Sequence, residues 1–189
     1  MEEKRGRNRR AHLDQIVKDE NGKYVYKGTL YHLEETPENR RRAIGKLWAL
    51  CGAAACGIVI CGCIPVPGMN RSIYLLIPYM IELVAAIYLC WKLGRLTLGG
   101  ADLREYVYQD LAEKIPMSAV ITGAGAGFAF AGEIVYLILN GFSGSIGFIV
   151  LFLFLQALAC AAAFAAKKNF SQLKWFKKKS DTKENSDTK

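Results

Sequence analysis

Four apolar stretches, separated from almost all of the charge, constrain this chain more than any other feature. They run at about 47–64, 73–93, 117–139 and 146–166. Each approaches or exceeds the roughly 20 residues needed to cross a bilayer as a helix. A soluble domain would spread its apolar residues with a helical or strand period. Here 52% of the 189 residues are hydrophobic and the net charge is +8, yet the two populations occupy different segments. The pattern predicts an all-α membrane protein, a bundle of four transmembrane helices.

Charge in the flanks predicts orientation, because basic residues concentrate on the cytoplasmic side. Arg40, Arg41, Arg42 and Lys46 precede the first stretch, and Lys92, Arg95, Arg104 and Lys114 lie around the second connection. Lys167, Lys168, Lys174, Lys177, Lys178 and Lys179 follow the fourth stretch, whereas the other two connections hold only Arg71. Both termini and the middle loop are therefore expected in the cytoplasm. The polar first forty-odd residues predict no cleavable signal peptide, so the first stretch would act as an anchor. Short loops suit a multi-pass protein of a bacterial plasma membrane.

Three parts follow: a cytoplasmic segment over 1–35, a four-helix domain over 36–166, and a basic, partly disordered tail over 167–189. Strand-forming residues around Asn21-Gly22, with Tyr24, Tyr26 and Tyr31, predict a small N-terminal β-hairpin. Thr36-Pro37-Glu38 reads as a helix start. Leu103, Val107 and Leu111 recur at four-residue steps among acids, which predicts a cytoplasmic amphipathic helix over 101–114. Trp48, Trp91 and Trp175, with Lys174, Lys177 and Lys178, are expected at lipid headgroups, anionic ones in particular. The basic run Arg5–Arg10 suits topology and anionic lipid better than nucleic acid.

The chemistry-bearing residues lie inside the apolar stretches. Thr122, Ala126, Ala129, Glu133, Tyr136 and Asn140 follow each other at steps of three and four, a small or polar stripe on one helix face. The second stretch carries Tyr79 and Glu82 on one stripe, with Pro78 beside them, and the fourth carries Gln156. A charged side chain at mid-bilayer costs at least about 2.5–3.5 kcal/mol. Glu82 and Glu133 should therefore face protein, with Tyr79, Tyr136 and Gln156 in reach as hydrogen-bond partners.

Two functions remain open. One is a structural or partner-binding membrane component, in which neutral acids hold the helices in register. The other is a small proton- or cation-coupled transporter or channel that binds its ion at the glutamates. Either could work as a homo-oligomer or with a membrane-protein partner. Gly141-Phe142-Ser143-Gly144 resembles the string around the serine of rhomboid-type intramembrane proteases. That chemistry needs a nearby base, and the only histidines, His12 and His32, precede every apolar stretch. No catalytic residue, cofactor or metal is expected. The six cysteines are read as packing residues.

Overall fold

The computed structural model describes residues 16–18, 24–26, 28–33, 36–100, 102–141 and 145–179. Its frame is four long helices: α1 (Pro37–Cys63), α3 (Ile73–Leu98), α4 (Glu105–Asn140) and α5 (Ile146–Ser171). All four are long and apolar enough to cross a membrane. A five-residue helix, α2 (Pro67–Arg71), lies in the connection between α1 and α3. Each long helix packs on its two neighbours in the order α1–α3–α4–α5–α1, a closed ring around one interior.

Local chemistry sets the helix ends. The Asn39 backbone N–H donates to the Thr36 side-chain oxygen at 3.4 Å, and Pro37 occupies the first helical position, where its missing N–H is not needed. Pro65 and Pro67 follow the last turn of α1 and prevent its continuation. At the end of α4 the chain turns on Gly141, whose φ of +72° suits a residue without Cβ.

A three-stranded sheet lies at the end where α1 and α4 begin and α3 and α5 finish. Strands β1 (Ile16–Lys18) and β2 (Tyr24–Tyr26) form the N-terminal hairpin, pairing Val17 with Val25. The turn at 19–22 lies outside the described residues. The three-stranded sheet joins three distant segments in the order β4–β3–β5: Asp102–Arg104, Thr29–Leu33 and Trp175–Lys179. Both pairings are antiparallel, with Tyr31 opposite Leu103 on one side and Lys177 on the other. Leu33 and Leu103 are buried, and Tyr31 stacks on Tyr108 of α4 at 4.0 Å between ring centroids. The His32 ring and the Asp102 carboxylate meet across the strands at 2.7 Å.

One expectation changes here. The segment 101–114 is not a separate amphipathic helix: it supplies β4 and then the first turns of α4, which runs on through Pro116. Its apolar residues face the bundle end, because Leu103 and Leu111 belong to a buried cluster with Leu47, Leu89, Leu93, Ile115 and Phe170. Within the basic tail, α5 continues to Ser171 and Trp175–Lys179 forms β5. Its backbone pairs with β3 while the side chains of Lys174, Lys177 and Lys178 stay exposed. Residues 180–189 lie outside the described residues.

The bundle interior depends on one close approach. A Cβ on Gly125 of α4 would stand 2.8 Å from Glu82 Cβ, 3.2 Å from Glu82 Cα and 3.3 Å from the Pro78 carbonyl oxygen of α3. Backbone cannot yield as a side-chain tip can. Gly127, two residues on, meets nothing within 4 Å. Gly125→Ala should therefore destabilise the bundle by about 1–3 kcal/mol, while Gly127→Ala leaves it unchanged. Thermal unfolding of the two variants in detergent is the check.

Candidate functional site

The close approach at Gly125 brings Glu82 into the interior, where it is 0% exposed. Three further polar side chains are equally buried: Thr122 and Glu133 on α4, and Gln156 on α5. Gln156 of α5 lies beside Glu82. Thr122 lies one turn from Gly125 on the same helix, so three helices deliver polar groups to one level. Yet the carboxylate oxygens of Glu82 and Glu133, the Thr122 hydroxyl and both amide atoms of Gln156 close no hydrogen bond among the described residues.

Glu133 forms an outer level. It lies eight residues beyond Gly125, or about 12 Å along the helix. Gly68 of α2 covers it: a Cβ there would strike the Glu133 carboxylate, and the Gly68 backbone N–H faces that group. Gly132, beside it, admits the side chain of Leu75 from α3. Apolar groups flank the polar levels. Ile58, Leu137, Ile149 and Phe152 pack within one buried cluster, and Leu47, Leu89, Leu93, Leu111 and Ile115 within the other.

The tyrosines behave differently from expectation. The Tyr79 hydroxyl donates to the Ile58 carbonyl oxygen of α1 at 3.0 Å, not to Glu82. Its ring tip fills the space that a Cβ on Gly62 would need, so Tyr79 joins α1 to α3. The reason is direction: one turn along α3 is near in sequence, but the ring projects toward α1. Tyr136 is buried on the Glu133 stripe and forms no hydrogen bond to that acid. Cys51 and Cys61 pack in the core, and the Cys61 thiol donates weakly to the Phe152 carbonyl at 3.8 Å.

The residues expected at headgroups divide. Trp91 is 68% exposed, the most open of the three tryptophans. Trp48 donates its indole N–H to Thr97 Oγ1 at 3.0 Å. Trp175 is half-buried, its ring 5.3 Å from that of Tyr108. The lysine ammonium of Lys177 stands 5.9 Å from the Tyr31 ring centroid.

Asp110, in the first turns of α4 and ahead of its apolar stretch, was not singled out by sequence reasoning. It holds the nearly buried Lys92 of α3, contacts Arg95 at 3.4 Å and pairs with Lys114 one turn along its own helix. A four-residue charge step made the Lys114 pair legible, but the tie to Lys92 joins two helices and left no periodic signal. Burial pushes the Asp110 carboxyl up, but hydrogen bonds from Lys114 and Lys92 and their positive charges outweigh it and hold the group below its ordinary 3.8. A carboxyl lowered on folding stabilises fully above its unfolded value and loses that contribution as pH falls through its folded one. Acid unfolding should therefore show a component that begins near pH 4 and is absent from Asp110→Asn. The substitution also leaves Lys92 buried without its counter-charge, so it should cost about 3 kcal/mol. Arg95→Gln, which alters only an exposed partner, should cost less than about 1 kcal/mol. Circular dichroism across pH measures both.

Comparison with known proteins finds no matching family model, no matching curated protein and no matching solved structure. The class rests on the chain itself: four apolar helices with a small sheet at one end fit an integral membrane protein.

Proposed function

We propose that this protein is a small membrane transporter or channel that binds a proton or a monovalent cation in its bundle, with Glu82, Thr122 and Gln156 as the inner site and Glu133 as the outer one. One observation carries this reading: four wholly buried polar side chains offer seven oxygen and nitrogen atoms, none closing a hydrogen bond of normal length among the described residues, although Gln156 stands beside Glu82 and the Gly68 N–H beside Glu133. A set that only held helices in register would spend those atoms on bonds to each other. Left open, each costs free energy of the order of 1–3 kcal/mol. A bound proton neutralises a carboxylate, and a dehydrated cation takes carboxylate, hydroxyl and amide oxygens as ligands.

The apolar groups on both sides of these levels suit an occluded state, in which neither face reaches the ion. Opening on the outer side would move α2, whose Gly68 lies against Glu133. The flank charges favour placing the three-stranded sheet and both termini in the cytoplasm, and the short loops suit a bacterial plasma membrane. No residue is assigned a catalytic role. A homo-oligomer or a membrane-protein partner fits the small size of one four-helix unit.

The structural or partner-binding reading draws on the same dry packing, since both acids are 0% exposed. Flux separates the two. Purified protein in proteoliposomes, given a pH or sodium gradient, should relax it, and Glu82→Gln should slow that relaxation at least tenfold, roughly the effect of 1.4 kcal/mol, while folding is retained. Absence of flux from the parent protein sinks the transport reading. An unfolded Glu82→Gln variant together with that silence would favour the structural role.

A further inference from the structure

Away from the bundle interior, a cavity of about 530 Å³ lies between the start of α1 and the end of α5. Arg42 and Lys46 bring two positive charges to its wall, and Asn39, Asn169 and Gln172 bring amides. No carboxylate lines it. Arg42 does share its guanidinium with Glu38 one turn back, at 2.7 Å on the exposed face. Lys46 makes no ion pair among the described residues.

Depth narrows the ligand. Lys46 immediately precedes the apolar stretch of α1, and Asn169 and Gln172 come just after that of α5. On both helices the cavity therefore sits where hydrocarbon gives way to headgroups. The surface above it is also unusual. Arg42, Lys46, Ala49, Ala53 and Cys56 follow at steps of four and three, so two cations lead into a smooth, exposed, small-residue track. A Cβ at Gly45 or Gly52 would meet nothing within 4 Å. Elsewhere the outer face carries large side chains such as Ile73, Val84, Phe128 and Phe154.

The geometry points to a binding site for the phosphate of an anionic glycerophospholipid, with the phosphate in the cavity and an acyl chain along the small-residue track of α1. The Arg42 guanidinium offers two parallel N–H donors to phosphate oxygens, and Lys46 acts as a point charge. The amides of Asn39 and Gln172 can donate to the remaining oxygens. Glu38 competes with the ligand for Arg42, so it tunes the site.

The test titrates the full chain, purified in a mild non-ionic detergent, with phosphatidylglycerol, phosphatidylcholine or inorganic phosphate, and reads bound ligand by native mass spectrometry. Phosphatidylglycerol should bind roughly thirtyfold more tightly than phosphatidylcholine, the effect of two basic groups at an anionic headgroup. Arg42→Gln/Lys46→Gln should abolish that preference, and Glu38→Gln should strengthen it. Lys177→Gln/Lys178→Gln, which removes equal charge from β5, should leave it intact. Should the double variant at Arg42 and Lys46 fail to fold, Lys46→Gln alone, at an exposed position, should still reduce the preference several-fold. Loss of preference in the β5 variant equal to that at the cavity would reduce the effect to net charge and overturn the site. Displacement of phosphatidylglycerol by millimolar inorganic phosphate would overturn the lipid as ligand and leave a free phosphate as the occupant.

Discussion

The contact of Gly125 with the backbone of α3 is the constraint from which the interior follows. At that point α4 presents no side chain, so α3 comes close enough for Glu82 Cα to touch the helix beside it. Lipid tails are as apolar as the side chains they would replace, so helix association in a bilayer relies on such close packing. The approach encloses Glu82 with Thr122 and Gln156. Displacing it would reopen a path between helices to groups that hydrocarbon solvates poorly.

Ionic contacts are distributed unevenly around this core. At the sheet end, Asp110 gathers Lys92, Arg95 and Lys114 around one carboxylate. In the interior, two acids face amide, hydroxyl and backbone groups, with no described cation paired to them. The first arrangement fixes α3 against α4 at the sheet end. The second leaves oxygen atoms arranged and unspent, the chemical basis of the proposed ion site. Tyr79 contributes by absence: in bonding to the Ile58 carbonyl it supports α1 and leaves the Glu82 oxygens open.

Much of this could be read from residue spacing, since hydropathy and helical period are local properties. The four helices, the Thr36–Pro37 start and the polar stripe that carries Glu133 all followed from residues a few positions apart. Glu82, Glu133 and Gln156 were legible because a polar group among apolar ones has one low-energy direction, inward. The rest depended on contacts between distant segments. Nothing local distinguishes Gly125 from Gly123 and Gly127 in the same run, although only Gly125 meets the backbone of a neighbouring helix. The β4–β3–β5 sheet escaped for the same reason, because three- to five-residue strands carry too little pattern to announce partners some seventy or more residues away. Tyr79 was misdirected by a rule that counts turns along one helix and ignores the helix opposite.

That small sheet imposes an order of assembly. Its central strand, β3, comes before all four long helices, while β4 lies between the second and third of them and β5 follows the fourth. During synthesis β3 has no complete set of partners until the last crossing has been made and β5 has emerged on the same side. Loop closure on this scale is slow relative to helix formation. A chain whose final helix failed to cross would carry β5 on the opposite side of the membrane and leave an open edge on β3. Completion of three short strands thus reports on the topology of the entire chain.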